Sequence, residues 1–144
     1  MAKTPEGAVK DEVKKRLAHY DVHPFMDAAM GKCKCVMGTY FMPVAGPFSV
    51  HGVHDFVGVW NGRFFSIETK APDNPEDATL HQEMFRAAVS MAGGVATTGV
   101  RSADAVDRLY EICVHGADVL DKEPARTRAH PRSRRPTRRT SRPP

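Results

Sequence analysis

The chain has 144 residues, enough for one domain with a single modest core. No apolar run is long enough to span a bilayer, residues 1–10 are too polar for a signal peptide, and three cysteines form an odd set. A membrane protein, an exported protein and a disulfide scaffold are thus excluded as expectations, leaving a cytoplasmic protein with reduced thiols. The formal net charge of +4 hides an asymmetry: residues 124–144 hold eight arginines and no acid. Removing them from the 21 Lys and Arg leaves 13 bases against 17 acids, a net of −4 for residues 1–123.

The first predicted element is a helix. Thr4 is a suitable N-cap and Pro5 a suitable first helical residue, and Val9, Val13, Leu17 and Tyr20 recur at helical spacing. Most basic residues between them fall on the outer face. Glu6 lies three residues before Val9 and falls on the apolar stripe, where a carboxylate needs a partner, while Glu12 lies at its flank. Residues 23–38 show no period and read as loop, with a short helical turn over 25–30. Residues 39–44 read as a strand limited by Pro43, followed by a Gly- and Pro-containing stretch over 45–52.

Asn61-Gly62 between two apolar runs is a strong hairpin signal, a two-residue type I′ turn. The turn pairs Trp60 with Arg63 and Val59 with Phe64. Carried five steps on from the Trp60–Arg63 pair, the register sets Asp55 opposite Glu68, and period-two alternation puts Lys70 on the face of Glu68. Phe56, Trp60, Phe65 and Ile67 share one face, and Val57, Val59 and Phe64 the other. Apolar groups on both faces suit the middle of a sheet covered by helices.

After an acidic loop over 73–78, Leu80, Met84, Ala87 and Met91 mark a second helix stopped at Gly93-Gly94. Residues 95–100 read as a strand. Ser102 then caps a third helix with Val106, Leu109, Tyr110 and Cys113 inward, ending near Gly116. The expected order is α-β-β-β-α-β-α, a single domain over residues 1–123. The remaining residues, 124–144, form an Arg/Pro-rich basic tail that lacks large apolar residues and is expected to be disordered and to attract a polyanion.

Two carboxylates opposite one another on a sheet repel. With an ammonium two residues along, a shared divalent cation is the economical explanation, and oxygen donors suit Mg²⁺ or Mn²⁺. Lys70 then orients a water or offsets charge on a phosphate, and Glu6 reaches the site from the first helix. Glu-X-Lys alone is common; the hairpin register and the inward Glu6 add the weight. Gln82 has two readings, a site residue or the reciprocal partner of Thr79 in a capping box. Cys33-X-Cys35 with His51-X-X-His54 is a disfavoured zinc set, because the cysteine spacing is tighter than usual.

Gly52-Val53-His54-Asp55, with Phe64 and Ile67-Glu68-Thr69-Lys70, resembles the core of the PD-(D/E)XK nucleases, and more closely their virus-type replication-repair group (VRR-NUC). Thr4-Pro5-Glu6-Gly7 resembles that group's first-helix motif, and Thr79-Leu80-His81-Gln82 with Gly93-Gly94 and a strand resembles its later half. The resemblance spans residues 4–109. It implies an α/β, restriction-endonuclease-like core with a mixed central sheet flanked by helices. It also implies metal binding by Glu6, Asp55, Glu68 and the Thr69 carbonyl, with Asp55, Glu68, Lys70 and Gln82 catalytic. The implied activity is Mg²⁺- or Mn²⁺-dependent hydrolysis of DNA phosphodiesters at branched or repair structures, by a homodimer. His54 departs from the pattern, standing where the group usually has Pro. The rival readings are a Holliday-junction resolvase-like enzyme, an inactive nucleic-acid-binding module and an interaction protein that docks through its tail.

Overall fold

The computed structural model describes residues 2–116. The expected domain limit at residue 123 and the tail over 124–144 lie outside the described residues. The elements are α1 (Pro5–His19), β1 (Val22–Pro24), α2 (Phe25–Ala29), β2 (Gly38–Phe41), β3 (Phe56–Trp60), β4 (Arg63–Thr69), α3 (Leu80–Met91), β5 (Val95–Val100) and α4 (Asp104–His115). Five strands form one sheet in the order β1-β2-β3-β4-β5. The outer pairs, β1 with β2 and β4 with β5, are parallel; the inner pairs are antiparallel. The protein is therefore α/β, a mixed sheet flanked by helices whose order is consistent with a restriction-endonuclease-like core.

The hairpin forms as its turn dictates. Asn61 and Gly62 both adopt positive φ, 51° and 77°, as a type I′ turn requires. Trp60 pairs with Arg63, Val59 with Phe64 and Phe56 with Ile67. Pleating then sends Phe56, Trp60, Phe65 and Ile67 into the core, where all four are fully buried. They meet Val9, Val13 and Leu17 of α1 and Val106, Leu109 and Cys113 of α4. Arg16 of α1 and Tyr20, its C-cap, both bind Asp107 of α4, locking the two helices side by side. Thr4 caps α1, accepting a hydrogen bond from the Gly7 amide at 3.1 Å.

Several expectations need correcting. The loop expected over 23–38 carries β1, an edge strand too short to show a period, followed by α2 at the expected helical turn. β2 ends at Phe41, before Pro43, rather than running to residue 44. Ala103, not Ser102, is the N-cap of α4; Ser102 Oγ reaches only the Asp104 amide, at 3.4 Å. On the second sheet face Val57 is buried, but Val59 and Phe64 are 43% and 39% exposed, because α3 covers only part of that face.

The largest difference is the rotation of α3. Its regular apolar stripe points outward: Leu80, Met84 and Met91 are 75%, 60% and 71% exposed. The sheet side instead carries Gln82, Glu83, Phe85, Arg86 and Val89, all half-buried. Polar ties set this rotation. Glu83 accepts from Thr98 Oγ1 of β5 at 3.1 Å, and the Gln82 carbonyl is held by His54.

Candidate active site

The site lies where the hairpin's open end meets the starts of α1 and α3. The β3–β4 ladder stops at Phe56 and Ile67, one step short of Asp55 and Glu68. Hydrogen bonds between backbone and side chains take over. The Asp55 amide donates to Glu68 Oε2 at 3.1 Å, while the Thr69 amide and hydroxyl donate to Asp55 Oδ2 at 3.0 and 2.6 Å. The two carboxylates are thus braced in each other's neighbourhood, Asp55 with one oxygen fully used and Glu68 only 4% exposed. Burial, reinforced by the Asp55 charge, pushes the Glu68 carboxyl up to about 7, against the pull of Lys70 and Lys10.

Lys70 emerges on the face of Glu68, as alternation requires. Its ammonium lies 3.7 Å from Glu68 Oε1 and 3.2 Å from Gln82 Oε1. Gln82 lies both in the helix cap and beside Glu68 and Lys70. Its Oε1 accepts from the Thr79 amide at 2.8 Å, completing the capping box, and its Nε2 donates to Glu68 Oε1 at 2.5 Å. The amide orientation follows from its neighbours, since an ammonium can only donate and a carboxylate oxygen can accept. The helix cap and the site are the same hydrogen-bond network.

Glu6 stands apart from the pair. It is half-exposed and binds the Lys10 ammonium at 3.0 Å, and Lys10 in turn reaches Asp55 Oδ1 at 3.1 Å. Lys10 therefore belongs to the site, an exception among the basic residues of this helix, of which Lys14 and Lys15 are exposed as expected. Sequence reasoning missed it because Glu-X-X-X-Lys on a helix is the pattern of an ordinary surface pair. The available signal was that Lys10 follows one turn after the inward Glu6. Burial opposes the Lys10 charge, but the bonds and charges of Glu6 and Asp55 outweigh it and raise its pKa. Glu12, the weaker candidate, is exposed.

His54 is the second residue missed. It is fully buried, with Nδ1 2.9 Å from Ser66 Oγ and Nε2 3.0 Å from the Gln82 carbonyl. A carbonyl only accepts, so Nε2 carries the proton and Nδ1 accepts from the Ser66 hydroxyl. Desolvation lowers the His54 pKa and favours this neutral form. With both nitrogens engaged, His54 is not available to the disfavoured zinc set. It is a strut that fixes the first turn of α3 to β4 and so fixes Gln82. Gly52 supplies the matching close approach: its φ is 84°, and a Cβ there would fall 2.4 Å from the His81 carbonyl carbon and oxygen.

These groups open into a cleft of about 630 Å³. Asp55, Glu68 and Gln82 line it together with Thr79, His51 and His81. The β2–β3 loop contributes Val44 and Val50, which are largely exposed. Among the described residues no three His, Cys, Asp or Glu side chains gather into a ready metal cage. The candidate donors are the Asp55 and Glu68 carboxylates, each bonded to a backbone amide beside the other, with Glu6 drawn to Lys10. All are hard oxygens, and a cationic group already sits among them, which fits a divalent cation of the Mg²⁺ or Mn²⁺ kind. Compared with family models, curated proteins and solved structures, the chain matches none.

Proposed function

We propose that this protein is a metal-dependent nuclease of the PD-(D/E)XK type, close to the VRR-NUC group, that hydrolyses DNA phosphodiesters. The observation that carries this reading is the meeting of Asp55, Glu68, Lys70 and Gln82 in one bonded cluster, of which Asp55, Glu68 and Gln82 line a cleft, with Glu6 joined to them through Lys10. A structural ion-pair cluster has no need of a carboxylate as deeply buried as Glu68 beside a second one. Such a pair is costly to the fold unless something cationic is to be bound.

In this reading Asp55, Glu68 and the Thr69 carbonyl hold Mg²⁺ or Mn²⁺, and Glu6 completes the set. The cation, when bound, activates water for attack and polarises the phosphoryl oxygen. Thr69 fixes the aim of Asp55 through two hydrogen bonds to one carboxylate oxygen. Gln82 holds the Lys70 ammonium in position, where it offsets charge developing on the phosphate or orients the attacking water. DNA, a branched or repair structure as substrate, a cytoplasmic setting and a homodimer are further parts of the proposal. The exposed Leu80, Met84 and Met91 of α3 supply apolar surface for the dimer. No helix among the described residues is long and apolar enough to cross a membrane.

The test is cleavage of linear, flapped, bubble and four-way DNA with Mg²⁺, Mn²⁺ or Ca²⁺. Mg²⁺ and Mn²⁺ are expected to support cutting, and Ca²⁺ binding with little turnover. Asp55→Asn is expected to lose metal binding and to cut slower by orders of magnitude, whereas Lys70→Ala loses turnover and keeps metal binding. Full activity after exhaustive chelation refutes the proposal. Preference for four-way junctions over flaps would favour the resolvase-like alternative.

A further inference from the structure

Lys10 is the one site residue whose position the nuclease reading does not require. It comes from α1, one turn after Glu6, and its side chain is only 27% exposed. Its ammonium bridges the two carboxylates, 3.0 Å from Glu6 Oε1 and 3.1 Å from Asp55 Oδ1. Asp55 has no other oxygen to offer, because Oδ2 is taken up by Thr69. Lys70, the other ammonium, is occupied on the far side by Gln82 and Glu68. The two lysines therefore divide the acidic cluster between them. Lys10 serves the half that a cation must also use.

We propose that Lys10 is a tethered, displaceable counter-cation. In the metal-free protein its ammonium offsets part of the charge of Glu6 and Asp55 and eases the packing of three neighbouring acids. Metal binding needs the same carboxylate oxygens, so Lys10 has to leave them. A lysine is suited to this, being a point charge on a flexible stem with no fixed fork to hold both acids rigidly. Its departure costs part of the metal's binding energy, so Lys10 sets the apparent affinity: only the fraction of molecules with Lys10 turned away is competent to bind. The displaced ammonium also remains within one side-chain length of the cleft.

This inference rests on the nuclease reading for the identity of the cation site, but its test reads binding and accessibility rather than cutting. Mn²⁺ titration of the full chain by calorimetry is expected to show Lys10→Met binding about ten-fold tighter than wild type. In chelator the variant is expected to melt at a lower temperature, with the difference closing at saturating Mn²⁺. Lys14→Met serves as the control, because Lys14 is exposed and its ion pair among the described residues is with Asp11, at 3.9 Å. Acetylation of wild-type lysines, followed by mass spectrometry, gives a measurement that does not depend on the variant folding. Labelling of Lys10 should rise when Mn²⁺ is added while that of Lys14 stays constant. Equal or weaker Mn²⁺ binding by Lys10→Met, or unchanged Lys10 labelling in a protein that binds Mn²⁺, overturns the inference and leaves the nuclease reading standing. Absence of Mn²⁺ binding by wild type and variant alike overturns both.

Discussion

Glu68 carries the clearest consequence of a single buried residue. Its folded pKa of about 7 lies above the ordinary carboxyl value of 4.5, so the folded chain holds this proton more tightly than the unfolded one. Stability from this group is therefore complete below pH 4.5 and is lost as pH rises through about 7. The neutral, buried His54 acts in the opposite sense, its contribution falling as pH drops below the ordinary histidine range. The two are separated by Glu68→Gln, which removes one titration and leaves the other. In chelator, the stability of the variant relative to wild type should grow between pH 5 and pH 8, by on the order of a few kcal/mol at most. A difference that stays flat across that range would mean that Glu68 is not the buried, titrating acid described here. Asp55, Glu68 and Lys70 were legible in the sequence because a two-residue turn turns register into arithmetic: once Asn61-Gly62 is placed, every partner follows. Lys10 and His54 were not. Whether a lysine one turn from Glu6 swings inward depends on how α1 sits against the sheet, and no local spacing encodes that.

The same limit operates on whole elements. Periodicity located α3, and its cap and stop signals gave its ends, yet the stripe that revealed the helix faces away from the sheet. A period reports that a helix has two faces; which face is inward is decided by tertiary ties, here those of His54 and Thr98 to Gln82 and Glu83. β1 escaped notice for the opposite reason, since three residues are too few to show alternation, although Val22 is fully buried. The rotation of α3 can be tested by paired truncations at concentrations where the chain is monomeric. Met84→Ala should cost less than about 0.5 kcal/mol, as an exposed change does. Phe85→Ala should cost about 2 kcal/mol or more, because Phe85 packs edge-on against the buried His54 ring with centroids 4.7 Å apart. It should also perturb the site, loosening the strut that holds Gln82, so that Mn²⁺ binding weakens alongside stability. Denaturant melts of the two variants measure both costs. If Met84→Ala proves the more damaging, α3 is rotated the other way, as its apolar stripe alone predicts.

At the scale of the whole molecule the charge asymmetry matters most. Residues 1–123 carry a net of −4, and the site adds Asp55, Glu68 and Glu6 to the surface a polyanion must approach. Coulomb repulsion therefore works against the substrate that the proposed chemistry needs, except where a bound cation or the lysines beside the site reverse it. Under the proposed function, the eight arginines of residues 124–144 are expected to supply the missing attraction, by sequence-independent phosphate contacts. On the same proposal, this would divide the work between a body that holds metal and cuts, and a segment that holds DNA. A chain ending at Glu123 should accordingly bind duplex DNA more weakly and lose much of the salt dependence of binding. If every arginine meets a phosphate, the slope of log affinity against log salt falls by about 7; partial engagement gives proportionately less. Mn²⁺ affinity should be the same for both chains, because none of the groups that meet at the site lies beyond residue 82. Cleavage should fall at low DNA concentration and recover at saturation, the mark of lost binding rather than lost chemistry. Binding titrations over a range of salt, run for the full and the shortened chain, decide the matter. Equal slopes would show that the arginines do not contact DNA, and that the acidic body must recruit its substrate by the cleft alone.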